Sequence, residues 1–284
     1  MNLNNIICEK KFNDQRIRYL LGDIRDYNRL LDAFRNVNII YHAAALKQVD
    51  SIEYNPLEAI RTNIYGTENV VKAALERDVE RVIGISTDKA VAPANLYGAT
   101  KLCLEKIIIG GNVIGGNTTK FSILRYGNVM NSRGSVIPLF KKQKESNVLT
   151  VTHPDMTRFT LTLDEAINFV LNCTEIMIGG EIFVPKLPSY GIVQLAKVIA
   201  PKAEIKIVGI RPGEKIYESM ISPHESYKAL DCYDYYVITP NLNMMKYKLN
   251  KDYRFKCKQG FEYNSKNNHL IEDSKLKNLI DNLL

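Results

Sequence analysis

Short apolar runs alternate with segments of helical periodicity along the first 130 residues. Ile17–Leu21 reads as a buried strand that ends in Gly22-Asp23, and Tyr27–Phe34 carries apolar residues at helical spacing. Val37–Tyr41 predicts a second strand running into His42-Ala-Ala-Ala45, and Pro56–Glu76 a long helix with Asn63 and Gly66 inside it. Val82–Ile85 is the next strand and Tyr97–Ile109 the next helix. Phe121–Leu124 is another strand, ending in Arg125-Tyr-Gly-Asn128. Strands that alternate with helices in this way form βαβ units and a parallel sheet. Polar clusters at 22–23, 42–48, 86–89 and 125–128 each follow a strand. Ligands of open parallel sheets bind outside the carboxyl ends of the strands, so four strand ends aim polar groups at one edge.

After residue 130 the pattern changes. Ser132-Arg-Gly-Ser135 and the Lys-rich 141–144 precede short strand-like pieces. Asp164–Ile176 predicts a helix, with Leu163, Ile167, Val170 and Leu171 forming one buried face. Glu181–Val184 (strand), Ile192–Ile199 (helix), Lys206–Val208 (strand) and Arg211-Pro-Gly-Glu-Lys215 follow, with a short helix at 274–283. Gly110–Gly116 is expected to be a loop. The expected class is α/β: a doubly wound parallel sheet over 1–130 with 158–180 packing back on it, a smaller α/β domain over 131–240, and a basic tail over 241–284.

Composition narrows the function classes. Of 284 residues, 45% are hydrophobic and 24% charged, the range of an ordinary globular chain. The net charge of +7 fits either a solvated basic surface or attraction of an anionic substrate. No Arg/Lys-rich arm or aromatic–basic repeat points to nucleic acid. The five Cys (8, 103, 173, 232 and 257) are scattered without a C-x-x-C, as reduced thiols would be. The four His lack metal-ligand spacing, so no metal is expected. No apolar run is long enough for a membrane span, and the polar N-terminus does not read as a signal peptide, so a cytoplasmic location is expected.

The chemistry concentrates in 82–106. Tyr97 and Lys101 are i and i+4 and share a helix face. A Tyr phenol has a pKa of about 10, and a cation one turn away lowers it. Alone, Y-x-x-x-K reads equally well as an ordinary helix surface. The hydroxyls of Ser86 and Thr87, at a strand end just upstream, add a second donor to the same substrate hydroxyl. Asp88-Lys89 has two readings: a helix N-cap by Asp88 beside a solvated Lys89, or a general acid–base pair.

The motifs GDIRD (22–26), HAAALKQV (42–49), STDKAVAPANLYGATK (86–101), RYGNVMNSRGSVIPLF (125–140), TRFTLTLDEA (157–166), GGEIFVPKLPS (179–189) and GIRPGEK (209–215) carry a resemblance. The chain resembles the extended short-chain dehydrogenase/reductase family, with a Rossmann-like sheet. Within it, the chain is similar to the inverting UDP-N-acetylglucosamine 4,6-dehydratases of polysaccharide biosynthesis and flagellin modification. The resemblance spans about residues 10–240 and extends more weakly to FEYNSKNN (261–268). TDKA followed by LYGATK separates this branch from 4-epimerases.

The resemblance implies a mechanism. Tyr97, helped by Thr87, would take the proton of the sugar 4-hydroxyl while NADP (or NAD) takes hydride from C4. Lys89 would then remove the C5 proton and Asp88 would protonate the departing 6-hydroxyl. Return of hydride to C6 and reprotonation of C5 from the opposite face would give an inverted 4-keto-6-deoxy sugar. The implied cofactor-binding residues are Asp23, Ile24, Ala43, Ala44, Ala45, Lys47, Asn63, Ser86, Tyr97, Lys101 and Tyr126. Substrate binding would fall to Lys89, Asn128, Arg158, Arg211 and Glu214. The resemblance also implies a homo-oligomer built through 56–76 and 97–109.

One departure stands out. The family begins with strand, G-x-x-G-x-x-G turn and helix, and the turn places the cofactor diphosphate on a helix N-terminus. No such turn occurs here, and Ile17–Leu21 matches the family's third strand. Three explanations are open: a separate chain supplies the unit, the sequence is a fragment, or the protein is a degenerate copy. A 4-epimerase or reductase of the same fold, and a non-catalytic remnant that only binds UDP-sugars, are the alternative functions.

Overall fold

Two apolar runs of the first half, 82–85 and 121–124, become strands covered on both faces. The structure is a computed structural model and describes residues 16–115, 118–132, 134–240 and 255–282. Cys8 and much of the basic tail lie outside the described residues. The strands are β1 (Ile39–His42), β2 (Arg81–Thr87), β3 (Lys120–Tyr126), β4 (Asn128–Val129), β5 (Val148–Val151), β6 (Thr157–Leu161) and β7 (Ile182–Pro185). They continue with β8 (Ser189–Gly191), β9 (Glu204–Ile207), β10 (Ser219–Ile221), β11 (Ala229–Asp231), β12 (Tyr235–Ile238), β13 (Phe255–Lys256) and β14 (Tyr263–Asn264). The helices are α1 (Tyr27–Ala33), α2 (Val49–Tyr54), α3 (56–76), α4 (Leu96–Ile114), α5 (Val136–Gln143), α6 (Leu163–Ile176), α7 (Ile192–Ile199) and α8 (Asp273–Asp281). Within α3, Arg61–Tyr65 winds as a π-helix around buried Asn63.

The main sheet has seven strands in the order β1-β2-β3-β7-β12-β11-β13. β1, β2, β3 and β7 run parallel, and β12, β11 and β13 are added antiparallel. On one face, α3 and α4 bring Val70, Val71, Leu104 and Ile108 against Val82, Phe121 and Ile123. On the other, α6 brings Cys173 against Ile83, Leu124 and Phe183. A second core joins α5, α7 and α8 through Phe140, Leu149, Leu195 and Leu276. Strands from 182–238 and 255–256 complete the sheet begun by 39–126, so the spatial units are not successive stretches of sequence.

Three expectations are corrected. Ile17–Leu21 is irregular, not a strand, and Leu20 and Leu21 are 53% and 75% exposed. Among the described residues no strand lies beside it, and Leu21 is held there by Arg29 donating to its carbonyl at 2.7 Å. The apolar stripe of α6 is only partly covered. Ala166, Val170 and Cys173 face the sheet, whereas Leu163, Ile167 and Leu171 are exposed. Those three share a stripe with Thr174, whose hydroxyl meets the Tyr41 hydroxyl of edge strand β1 at 3.2 Å. Gly110–Ile114 is helical, not a loop, because Gly111 lets α4 close on the Phe121 ring.

Candidate active site

β2 ends where its apolar run ends, and the chain turns there into a short 3-10 segment, Asp88–Ala90. Thr87 caps that turn, its hydroxyl accepting from the Lys89 amide at 3.4 Å and donating to Asp88 Oδ1 at 2.8 Å. The cap is therefore Thr87 and not Asp88, whose carboxylate instead accepts from the Thr87 hydroxyl and the Lys89 ammonium. Asp88 is fully buried, and Lys89 donates to its Oδ1 at 3.0 Å. Asn95 caps α4, accepting from the Gly98 amide at 2.9 Å and donating to the Gly213 carbonyl at 2.9 Å. One side chain thus ties the Tyr97–Lys101 helix to the Arg211–Lys215 loop.

Gly98 sets how closely α4 approaches Lys89. A Cβ there would lie 2.2 Å from the Lys89 carbonyl oxygen, a backbone atom that cannot swing away. Gly98→Ala is therefore expected to displace Lys89 and to cost about 1–3 kcal/mol of stability, the range for overpacking. Chemical denaturation together with turnover checks this: turnover should fall by far more than the unfolded fraction accounts for.

The site's electrostatics follow from burial. Burial pushes the Tyr97 phenol up to about 12, against the opposing pull of the Lys89 ammonium. Burial lowers Lys101 to about 8, and its ammonium donates to the Ile85 carbonyl at 2.8 Å. The cation acting on Tyr97 here is Lys89, while Lys101 is turned toward the end of β2. Burial disfavours the Lys89 ammonium, but Asp88 and Glu218 outweigh it and hold the group above the usual lysine range.

The sequence-derived residues fall into three groups. Ala43, Ala45, Lys47, Ser86, Thr87, Lys89, Tyr97, Lys101, Tyr126, Asn128, Arg158, Arg211 and Glu214 line one cavity of about 1120 Å³. Asn63 stands behind it, accepting from and donating to the Leu46 backbone at 2.8 and 2.9 Å and so bracing the 43–47 loop. Asp23, Ile24, Ala44 and Asp88 do not line that cavity; Asp88 is fully buried and meets it only through its contact with Lys89. Asp23 pairs with Arg25 at 2.6 Å, and Ile24 packs on Gly66 of α3. Within the first group, besides Thr87, Lys89 and Lys101, two further side chains are already engaged. The Ser86 hydroxyl donates to Glu105 at 2.6 Å, and the Arg158 guanidinium donates to the carbonyls of Thr157 and Lys215 at 2.7 and 2.9 Å. Arg211 remains well exposed at the cavity wall.

Sequence reasoning missed two features. Glu218 is buried beside Lys89, three residues beyond GIRPGEK, and no spacing rule links it to 86–101. Arg125 is fully buried and donates to Glu105 at 2.6 Å and to Glu225 at 2.9 Å, joining β3, α4 and the 222–225 turn. Arg125 stood in a polar strand-end cluster, which hinted at function, but its partners lie 20 and 100 positions away. Among the described residues no group of His, Cys, Asp or Glu could hold a metal, and Cys103, Cys173 and Cys257 are free thiols.

A sheet whose parallel strand β2 runs into Ser-Thr-Asp-Lys, facing a Tyr-x-x-x-Lys helix, defines an extended short-chain dehydrogenase/reductase. Comparison with known proteins agrees. A UDP-N-acetylglucosamine 4,6-dehydratase (inverting) of Campylobacter jejuni is 47% identical over 268 residues, covering 90% of this chain and 80% of that protein. A UDP-glucose 4-epimerase of Rickettsia bellii is 42% identical over 280 residues, covering 95% and 82%. The X-ray structure of Pen from Bacillus thuringiensis matches with a TM-score of 0.89 at 40% identity, covering 98% of this chain and 86% of that one. DesIV, a dTDP-glucose 4,6-dehydratase from Streptomyces venezuelae solved with NAD and TYD bound, shares the fold at 22% identity and a TM-score of 0.68, covering 75% and 73%. The polysaccharide biosynthesis protein family matches residues 1–240, and the chain belongs to that family.

Proposed function

We propose that the chain is the catalytic part of a UDP-N-acetylglucosamine 4,6-dehydratase that inverts C5. The observation that carries this reading is the Asp88–Lys89 contact of 3.0 Å next to Tyr97. An epimerase needs a base at the 4-hydroxyl alone, whereas dehydration also needs a base at C5 and an acid at the 6-hydroxyl. A single proton shift supplies both. Breaking one Lys89 N–H bond and forming an O–H bond on Asp88 turns the ion pair into a free amine and a carboxylic acid. Lys89 then takes the C5 proton and Asp88 gives its proton to the departing 6-hydroxyl, which restores the ion pair. Asp88 Oδ2 and Asn128 Oδ1 are buried without hydrogen-bond partners among the described residues; Asn128 lines the cavity, and a sugar hydroxyl would satisfy it.

The nicotinamide end of NADP (or NAD) fits the residues present. Lys101, Tyr126 and the 43–47 loop would hold it beside Tyr97, and Tyr97 would take the hydroxyl proton. When bound, the cofactor supplies the acceptor for hydride from C4 and its return to C6. The diphosphate end lacks its turn, because the chain contains no G-x-x-G-x-x-G. The place for that unit would be the edge of β1, which has no further neighbouring strand among the described residues. Ile39 and Tyr41 are exposed there, beside the uncovered Ile167 and Leu171 of α6. A Gly-rich strand–turn–helix, from the same polypeptide or a separate chain, would pair with this edge. Calorimetry with NADP should show binding at least about tenfold tighter once such a unit is co-expressed, a gain of about 1.4 kcal/mol. Equal affinity with and without the unit would refute this assignment. Self-association through 56–76 and 97–109 fits the exposed Leu57 and Tyr65 on α3. The reading as a whole is tested by incubating the completed protein with UDP-N-acetylglucosamine and NADP. A product lighter by one water supports it; unchanged substrate sinks it.

A further inference from the structure

We propose that Glu218 is a positioning residue of this site, facing Lys89 and controlling whether Lys89 keeps its proton. The inference rests on the dehydratase reading for its meaning, but its geometry stands apart from that reading. Glu218 is 2% exposed. Its Oε1 lies 3.5 Å from Lys89 Nζ and 3.8 Å from Arg158 Nε. Its Oε2 is buried with no hydrogen-bond partner among the described residues. A buried carboxylate oxygen without a donor is costly and is kept where it has a task.

The backbone around Glu218 is fixed from the far side. The Glu218 amide donates to Ser265 Oγ at 3.0 Å, and the Ser265 amide donates to the Glu218 carbonyl at 2.8 Å. Ser265 Oγ also meets Thr157 Oγ1 at 2.8 Å, so β6 and the 261–268 stretch hold Glu218 against Lys89. This gives the FEYNSKNN stretch a place in the site.

The charged groups around the Glu218 carboxyl are Lys89, Asp88, Arg158 and Lys215, and the Tyr97 and Tyr190 phenols feel the same Asp88–Lys89 pair. Burial raises Glu218 above the usual carboxylate range, while Lys89 draws it down. Lys89 thus stands between two carboxylates. With both ionised, the ammonium is strongly favoured and the amine base is scarce. When Glu218 carries a proton, Asp88 alone opposes Lys89, and the transfer from Lys89 to Asp88 becomes easier. The sign follows: removing the Glu218 charge lowers the Lys89 pKa, so Lys89 is a free amine at lower pH.

The test is competitive acetic-anhydride labelling of the full chain, read by mass spectrometry as Lys89 acetylation against pH. In the wild type, Lys89 should titrate above the ordinary value of about 10.4. Glu218→Gln should lower its pKa by at least one unit, while Glu218→Asp, which keeps the charge, should stay near the wild type. In the completed enzyme, the Lys89-dependent limb of the dehydration rate should move to lower pH in Glu218→Gln, in step with the labelling. An ordinary Lys89 value in the wild type, or an unchanged value in Glu218→Gln, overturns the proposal. The wild-type arm needs no variant to fold. If the wild type forms no 4-keto sugar, the dehydratase reading fails while the labelling still judges Glu218.

Discussion

Replacing Lys89 by methionine should stop dehydration while sparing oxidation at C4. Methionine keeps much of the chain's bulk but cannot accept a proton. Loss of a positioned general base costs about 10²–10⁴-fold in rate. In the proposed mechanism the first half-reaction uses Tyr97 and Thr87, which the substitution leaves in place. It is not untouched, however, because Lys89 is the cation that opposes the upward push of burial on Tyr97. Without it the phenol rises further, so C4 oxidation should need a higher pH than in the wild type. Two readouts separate the steps: absorbance of the reduced cofactor reports C4 oxidation, and deuterium entry at C5 from D2O reports proton removal. The expected variant accumulates reduced cofactor and takes up no deuterium. Dehydration at the wild-type rate would refute the role given to Lys89.

Arg125→Met should cause the largest loss of stability of any single change in the sheet half. The guanidinium is fully buried and bonds Glu105, Glu225 and the Met220 carbonyl. Burial disfavours its charge, but the two carboxylates more than offset this. Its removal leaves Glu105 buried without its counter-charge. Breaking a buried ion pair from one side costs about 3–5 kcal/mol, whereas replacing all members by apolar groups is often neutral. At roughly 2–4 °C per kcal/mol, Tm should fall by roughly 6–20 °C. Combining Arg125→Met with Glu105→Leu and Glu225→Leu should regain most of that loss. If Arg125→Met costs under about 1 kcal/mol, against the range expected for a broken buried pair, the triad is not the tie between β3, α4 and the 222–225 turn.

Much of the sheet was legible in the sequence because β2, β3 and β7 are buried on both faces and read as apolar runs. β2, β3 and α4 lie within a few residues of their expected bounds. Ile17–Leu21 misled for the same reason that the others did not. Apolar character states that a segment should be covered, not what covers it, and no described strand lies beside this one. The α6 stripe failed alike: Leu163, Ile167 and Leu171 are exposed instead of packed on the sheet. Within the site, Ser86–Lys101 was legible because local spacing on one strand end and one helix concentrates the chemistry. Glu218 was not, since its meeting with Lys89 depends on β10 pairing with β14. The same holds for Ser86, whose hydroxyl serves Glu105, a partner one helix away.

The central claim is that this site eliminates water from the sugar after oxidising C4. Its most direct test is NMR of the product formed from UDP-N-acetylglucosamine in D2O by the completed enzyme with NADP. The account predicts a 4-keto-6-deoxy sugar with deuterium at C5 and the opposite C5 configuration. A 4-epimer that keeps its 6-hydroxyl and its C5 proton would contradict it.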